Sequence, residues 1–422
     1  MNVPVRSSLA SVSSHDTTHL TPSQREWLTA TRSTIVGLTL AADMSTSADR
    51  VVVVGAGVSG LAVARELAPD YDVVVLDKGG VAADTSSRAS GMISLSLEPF
   101  PDGWATFALD QFRELDGRGV FSFTERETVR LVPKEDAEKY TDEAPTGGEF
   151  LTRNELLNQF PDSFGDLSAY GGGLVYDGTG YLDALDYAMT LKWQAEKAGA
   201  GIFRDHEVTG LRVDDGTVTG VDTEYGPIDA DHVVYATGWK TRELLAEYVE
   251  LPVRPLRWNA LVVEPESPLP DDCPLGSEPT MRVYWRPTRR GDVLVGGNEH
   301  LLSDPEGTPM GVQSSFRETV LEDVAPLLNG VDGGTVRRED CCPTADCASP
   351  DGLPIIDAPD EAPDGLVVVT GLHGRGVMLS PVTGRAVRSL VTGEKAPFPT
   401  SGFELARFED RSADFEYRSH WD

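Results

Sequence analysis

Val51-Val52-Val53-Val54 is an uninterrupted apolar run that leads into Gly55-Ala56-Gly57-Val58-Ser59-Gly60, after which Leu61, Ala64 and Leu67 recur at the spacing of one helix face. This order predicts a buried strand, a tight turn and an amphipathic helix. A second apolar strand is expected over 71–76, ending at Asp77. Helical periodicity returns over 181–198, behind a glycine-rich loop at 171–180. Short strands are expected over 201–208, 210–213 and 218–225, with Asp214-Asp215-Gly216 as a hairpin turn. A buried strand at 231–236 ends at Thr237-Gly238-Trp239. The stretches 281–285 and 292–296 predict a hairpin around 288–291, and 314–328 predicts a helix that 329–334 ends. The apolar strand 366–370 runs into Gly371-Leu372-His373-Gly374-Arg375-Gly376 and a helix through 382–391. Beyond Pro397 the chain is polar with scattered aromatics, and only the first part of this tail is expected to be ordered.

A strand that ends in glycines and opens a helix aims backbone N–H groups and the positive end of the helix dipole at one point. That point suits a dinucleotide pyrophosphate. Gly55 would make the turn, Gly57 would let the backbone of Val58 and Ser59 approach phosphate, and Gly60 would let the helix lie close on the strand. Asp77 falls about one βαβ unit later, where a carboxylate accepts bonds from ribose hydroxyls and Lys78 follows it. A carboxylate there repels a 2′-phosphate, which argues against NADP. NAD and FAD both stay open on these residues. The loop 371–376 repeats the strand, glycine and helix order and offers a second set of N–H groups.

Composition narrows the partners. With 422 residues, 40% of them apolar, the chain is long enough for two domains. A net charge of −32 argues against nucleic acid and anionic lipid as partners. The acid is scattered along the chain and lysine occurs only at 78, 134, 139, 192, 197, 240 and 395, which suggests adaptation to high intracellular salt. Residues 1–43 carry equal acid and base and much Ser and Thr, so they are expected to be a disordered extension or a misassigned start, with Met44 the alternative beginning. A targeting segment built on 35–42 is the rival reading. No run reaches membrane-spanning length, so a soluble cytoplasmic protein without membrane insertion is expected. Cys273, Cys341, Cys342 and Cys347 have neither a disulfide-framework nor a zinc-site spacing, and no metal is expected.

Four separated segments resemble the family of FAD-dependent amine oxidases that contains D-amino-acid oxidase, glycine oxidase and sarcosine oxidase. They are the glycine turn with Asp77, the run Thr85-Ser86-Ser87-Arg88-Ala89-Ser90-Gly91-Met92, the run Ala236-Thr237-Gly238-Trp239, and Asp351-Gly352-Leu353-Pro354 with the loop at 371–376. The resemblance spans 49 to about 408 and favours FAD over NAD. It implies an α/β FAD-binding domain, Rossmann-like and of the glutathione-reductase type, made discontinuously from 44–98, 178–248 and 339–400. It also implies an α+β substrate domain on a mainly antiparallel sheet from 99–177 and 249–338, with 401–422 as a tail. In such proteins the segment like Thr85 to Met92 passes the pyrophosphate and flavin. The position like Val208 meets adenine, and the loop like Gly371, Gly374, Arg375, Gly376, Val377 and Met378 covers the pyrimidine end of the flavin.

The resemblance further implies hydride removal from the carbon beside an amine, with oxygen or an electron carrier as final acceptor. Tyr284 falls where relatives face substrate with a tyrosine, and Arg286 would share its strand face and help bind a substrate carboxylate. Relatives that act on amino acids carry an arginine shortly before the Asp-Gly-x-Pro motif. Here 341–347 holds none. Another arginine, among Arg254, Arg257, Arg286 and Arg375, would have to replace it, or the substrate is not a simple amino acid. Cys342 is a candidate for a flavin tether, with non-covalent FAD the main expectation. Two rival functions are a hydroxy-acid dehydrogenase with His373 as base, and a non-catalytic flavin-binding subunit.

Overall fold

A computed structural model describes residues 48–98, 100–141, 145, 147–341, 345–419 and 421. The expectations for 1–43 lie outside them. The valine run of the Arg50–Val54 strand sits inside a six-stranded sheet. Its spatial order is Ile355–Asp357, Leu366–Thr370, His232–Tyr235, Arg50–Val54, Asp72–Leu76 and Gly201–Phe203. Every neighbouring pair is parallel except the one at the Ile355–Asp357 edge. Val51 and Val53 face four helices, α1 (Val58–Leu67), α2 (Trp104–Leu115), α3 (Ala184–Lys197) and α4 (Gly376–Thr392). Val52 and Val54 face the opposite way, onto the antiparallel strands Val208–Asp214, Thr217–Thr223 and Gly226–Asp229. Both faces are covered, which is why the run has no polar alternation. Each buried valine contributes about 1.5–3 kcal/mol.

The second sheet has nine strands. In spatial order they are Thr335–Cys341, Arg254–Glu264, Val293–Leu301, Val283–Pro287, Leu275–Glu278, Thr128–Pro133, Tyr170–Tyr176 and Gly148–Thr152, with Asp346–Ala348 beside the start of Arg254–Glu264. Only Leu275–Glu278 and Thr128–Pro133 run parallel, so the sheet is mainly antiparallel. One face buries Leu261, Val263, Trp285 and Val295 against Phe316, Val320 and Val324. The other face presents Arg130, Ser277 and Tyr284 to a cleft. This sheet runs on to Ala348, past the boundary expected at 338, because 335–341 and 346–348 both pair with Arg254–Glu264.

Four expectations need correction. The stretch 171–180, expected as a glycine-rich loop, is mostly strand: Tyr170–Tyr176 pairs with Thr128–Pro133 on one side and Gly148–Thr152 on the other, its glycines fitting against the neighbouring strands. Helix α3 begins at Ala184 rather than 181, because Asp183 caps it: Oδ1 accepts the N–H groups of Leu185 and Asp186, both at 3.0 Å. Residues 180–182 form a strand instead. The 314–328 helix is broken into an α turn (Ser314–Glu318), a π segment (Thr319–Val324) and a 3-10 turn (Ala325–Leu327). Pro326 has no N–H to continue an α ladder. The tail does not stop being ordered after its first part. Phe403 stacks on Trp104 at 4.1 Å, and further on Trp421 Nε1 donates to Glu299 at 2.9 Å, as does the Tyr417 hydroxyl at 3.2 Å.

Candidate functional site

The parallel strands end together, and at their carboxyl ends opens a cleft of about 1270 Å³. This is where open α/β sheets hold ligands. It exceeds the roughly 300–1,000 Å³ of an ordinary small-molecule pocket. Gly55 leaves the first strand at φ +108°, and a Cβ there would lie 2.6 Å from the Ala236 carbonyl oxygen. Gly57 is the N-cap of α1 and supplies no side-chain cap, and Val58 and Ser59 at the amino end of the helix line the cleft. Ser86 Oγ accepts the Val58 N–H at 3.0 Å. Gly60 does not line the cleft; a Cβ there would lie 2.0 Å from the Gly55 carbonyl oxygen, so its place is in the contact of helix and turn.

Asp77 ties the two loops at this end. Oδ2 accepts the Ala56 N–H at 2.7 Å and Oδ1 the Gly79 N–H at 2.7 Å. Each oxygen keeps a second acceptor site for a ribose hydroxyl. Lys78 lies beside it, and a hydrogen bond to Lys240 together with burial holds Lys78 below the ordinary lysine range. Lys240 pairs with Glu306 and stands over the Trp239 ring, 5.0 Å from its centre. Val208 and Thr237 line the same end. Gly238 does too, at φ +62°, with its carbonyl accepting from Thr370 Oγ1 at 2.9 Å.

The second amino end is that of α4. Its N-cap, Arg375, makes no side-chain cap, and Gly374, Gly376, Val377 and Met378 line the cleft. Gly371 does not; at φ +68° it turns the chain behind the loop. Between the two helix ends runs the segment with Thr85, Ser86, Arg88, Ala89, Ser90, Gly91 and Met92, all of which line the cleft. Gly91 is required where it stands, since a Cβ would lie 2.1 Å from the Leu182 carbonyl oxygen. Two helix amino ends that line the cleft, a ribose-type carboxylate and a groove between them fit an extended dinucleotide such as FAD.

The candidate catalytic residues separate. Tyr284 lines the cleft, its ring lying over Gly296, where a Cβ would come within 2.3 Å of it. His373 lines it as well, buried at φ +50°, with its ring stacked 5.6 Å from that of Tyr417. Arg375 reaches the cleft wall but its guanidinium is engaged: Nε donates to Glu98 at 2.9 Å, a second nitrogen lies 2.8 Å from the same oxygen, and a third bond at 3.1 Å goes to the Gly352 carbonyl. Arg286 does not line the cleft. Its guanidinium is buried, donating to the carbonyls of Ser90 and Pro287, and burial pulls it down to about 10, still cationic at neutral pH. Arg254 and Arg257 are also away from the cleft, donating to the carbonyls of Phe415 at 3.2 Å and Pro309 at 2.9 Å. Of Arg254, Arg257, Arg286 and Arg375, Arg375 alone lines the cleft.

Several cleft residues were not singled out from the sequence. Arg130, Ser277 and Tyr284 are cross-strand neighbours in one row of the large sheet, through the pairs Arg130–Ser277 and Ser277–Tyr284. Trp258 covers Gly374, and Arg418, Ser419 and Trp421 bring the tail to the rim. Asp346 lines the cleft at the α4 loop, and burial raises its carboxyl to about 6. The pairing register that gathers these residues is not written in any local motif. Cys342 lies outside the described residues, while Cys273 and Cys347 are buried free thiols. Among the described residues no group of His, Cys, Asp or Glu is placed to hold a metal, and no helix is long and apolar enough to cross a membrane.

Comparison with known proteins agrees with this geometry. The model of the family described as DAO, FAD dependent oxidoreductase, matches residues 50–390. Glycine oxidase from Pseudomonas aeruginosa is 30% identical over 385 residues, covering 84% of this chain and 99% of that protein. Glycine oxidase from Geobacillus kaustophilus is 27% identical over 379 residues, covering 85% of this chain and 96% of the relative. The crystal structure of glycine oxidase from that organism superposes with a TM-score of 0.73 over 85% of this chain and 99% of its own. The L-proline dehydrogenase structure from P. horikoshii, at 19% identity and TM-score 0.75 over 86% of this chain and 98% of its own, shares the fold.

Proposed function

Since the chain belongs to the family of FAD-dependent oxidoreductases, we propose that it oxidises the carbon–nitrogen bond of a small zwitterionic amine, an amino acid or an N-substituted one. FAD, held without a covalent bond, supplies the two-electron acceptor for the hydride. The observation that carries the reading is the row Arg130, Ser277 and Tyr284 on the cleft face of the large sheet. Neighbours in such a row stand about 4.5–5.5 Å apart, so a guanidinium, a hydroxyl and a phenol line one stretch of the cleft wall, each able to bond a carboxylate. No side-chain hydrogen bond or ion pair joins the Arg130 guanidinium to a described residue. It is the arginine best placed to take the role that 341–347 leaves empty. Trp258, Met92 and Trp421 add apolar surface to the cleft wall, and the amino end of α4 favours negative charge at its far end. The substrate nitrogen must be neutral when its neighbouring carbon gives up hydride, so the chain's part is to orient the substrate and accept a proton from the ammonium form.

Arg130→Met is expected to raise KM for a carboxylate-bearing amine about 10-fold, in keeping with the about 1.5 kcal/mol of a charged hydrogen bond at a partly exposed site, with kcat changed less than about threefold. Steady-state kinetics checks this; an unchanged KM removes Arg130 from the substrate site. The hydroxy-acid reading keeps His373 as its base and has no further support. The location is read as cytoplasmic, with oxygen or an electron carrier as final acceptor. The net charge of −32 supports working in concentrated salt. The melting temperature is accordingly expected to climb by about 10 °C or more between 0.2 and 2 M KCl, as screening relieves self-repulsion. A flat or falling melting curve contradicts salt adaptation.

A further inference from the structure

Resting on the amine-oxidation reading, we propose that Asp346 is the anionic pole of the substrate chamber and recognises the cationic nitrogen of the substrate, selecting ammonium and alkylammonium groups. Asp346 opens the Asp346–Ala348 strand, and the backbone fixes its carboxylate: Oδ1 accepts the Cys347 N–H at 2.8 Å and Oδ2 the Gly374 N–H. Each oxygen retains an acceptor site that these bonds do not use. The residue lines the cleft.

Gly374 joins this acid to an aromatic wall. Its N–H is held by Asp346, and a Cβ on it would lie 2.7 Å from the Trp258 ring, so the indole covers the same residue. The Tyr284 ring stands 6.2 Å from that of Trp258, and on the preceding residue the His373 ring stacks on Tyr417. A carboxylate beside aromatic faces attracts an organic cation both by charge and through the ring quadrupoles. The same carboxylate repels a substrate carboxylate. An amino acid is thereby oriented, with its acid end toward Arg130 and its nitrogen toward Asp346.

The charged and titratable groups around Asp346 set its pH range. Burial raises it to about 6, and Asp84 on the neighbouring loop acts in the same direction. The two backbone N–H bonds and Arg375, itself paired with Glu98, act against the rise. His373, next to Gly374 on the α4 loop, has its ring stacked on Tyr417 of the tail. The acid is therefore ionised at neutral pH and loses its charge below about 6.

The test uses holoenzyme in KCl titrated with tetramethylammonium, which is charged at every pH and has no nitrogen lone pair to support oxidation, and separately with acetate. Flavin absorbance shifts and tryptophan quenching read binding without turnover. Tetramethylammonium is expected to bind wild type about tenfold more weakly at pH 5 than at pH 7.5, and Asp346→Asn about tenfold more weakly than wild type at pH 7.5. Acetate is expected to bind the variant at least as tightly as wild type. Equal cation affinity in both proteins, or a cation affinity of wild type that is flat with pH, overturns the assignment. The wild-type pH series decides the matter even where the variant does not hold FAD. Failure of every amine to be oxidised would instead sink the reaction reading.

Discussion

Gly55→Ala protein is expected to be purified with little or no flavin and to bind added FAD at least 100-fold more weakly than wild type, a loss of about 2.7 kcal/mol. Two costs coincide at this residue. Its φ of +108° lies where an L side chain is strained, and its Cβ would stand 2.6 Å from the Ala236 carbonyl oxygen on the adjoining strand segment. Neither the turn nor that backbone can yield alone. The Gly55 N–H is bonded to the Leu76 carbonyl at 2.8 Å, and the Ala236 N–H to the Val54 carbonyl at 2.8 Å. Relief therefore moves the turn off the amino end of α1 and away from Asp77. Far-UV circular dichroism should remain close to wild type, because the strands on either side are buried and paired. Isothermal titration with FAD measures the loss, and an affinity within threefold of wild type would remove the turn from the cofactor site.

Glu98→Gln is expected to destabilise the protein by about 3–5 kcal/mol, the cost of breaking a buried ion pair by removing one partner. The Glu98 side chain is 5% exposed and that of Arg375 11%, and two guanidinium nitrogens meet one carboxylate oxygen at 2.8 and 2.9 Å. The pair holds the N-cap of α4 against the segment that follows the cleft lining at Met92 and Leu97. Replacing both partners, as Glu98→Gln with Arg375→Met, removes the stranded charge along with the bond. The double variant is expected to recover at least half of the loss. Denaturant melts of the four proteins at one salt concentration form the cycle; additive losses would show that the two side chains do not act as a pair.

The cofactor half of the site was legible because its signals are local. Four apolar residues, a glycine turn and an acid one βαβ unit later follow each other within 51–77, and each is fixed by its neighbours in sequence. The substrate half is assembled by register. Arg130 reaches Tyr284 only through Ser277 on an intervening strand, and Trp421 reaches the rim through Glu299, 122 residues earlier. No period or motif marks such partners. Arg286 shows what a period leaves out: it lies two residues from Tyr284 in one strand, yet it does not line the cleft, and its Nε and one terminal nitrogen donate to the carbonyls of Ser90 and Pro287. Asp346 was within the stretch recognised for its missing arginine, but its orientation toward the cleft comes from the Gly374 N–H, 28 residues on.

Anaerobic mixing of the holoenzyme with matched sets of amino acids, N-methylated amino acids, simple amines and hydroxy acids tests the central claim most directly. The flavin absorbance should bleach with at least one zwitterionic amine, and each bleached equivalent should release one carbonyl product together with ammonia or a smaller amine. Bleaching by hydroxy acids alone, or by none of the compounds in a protein that retains its FAD, would contradict it.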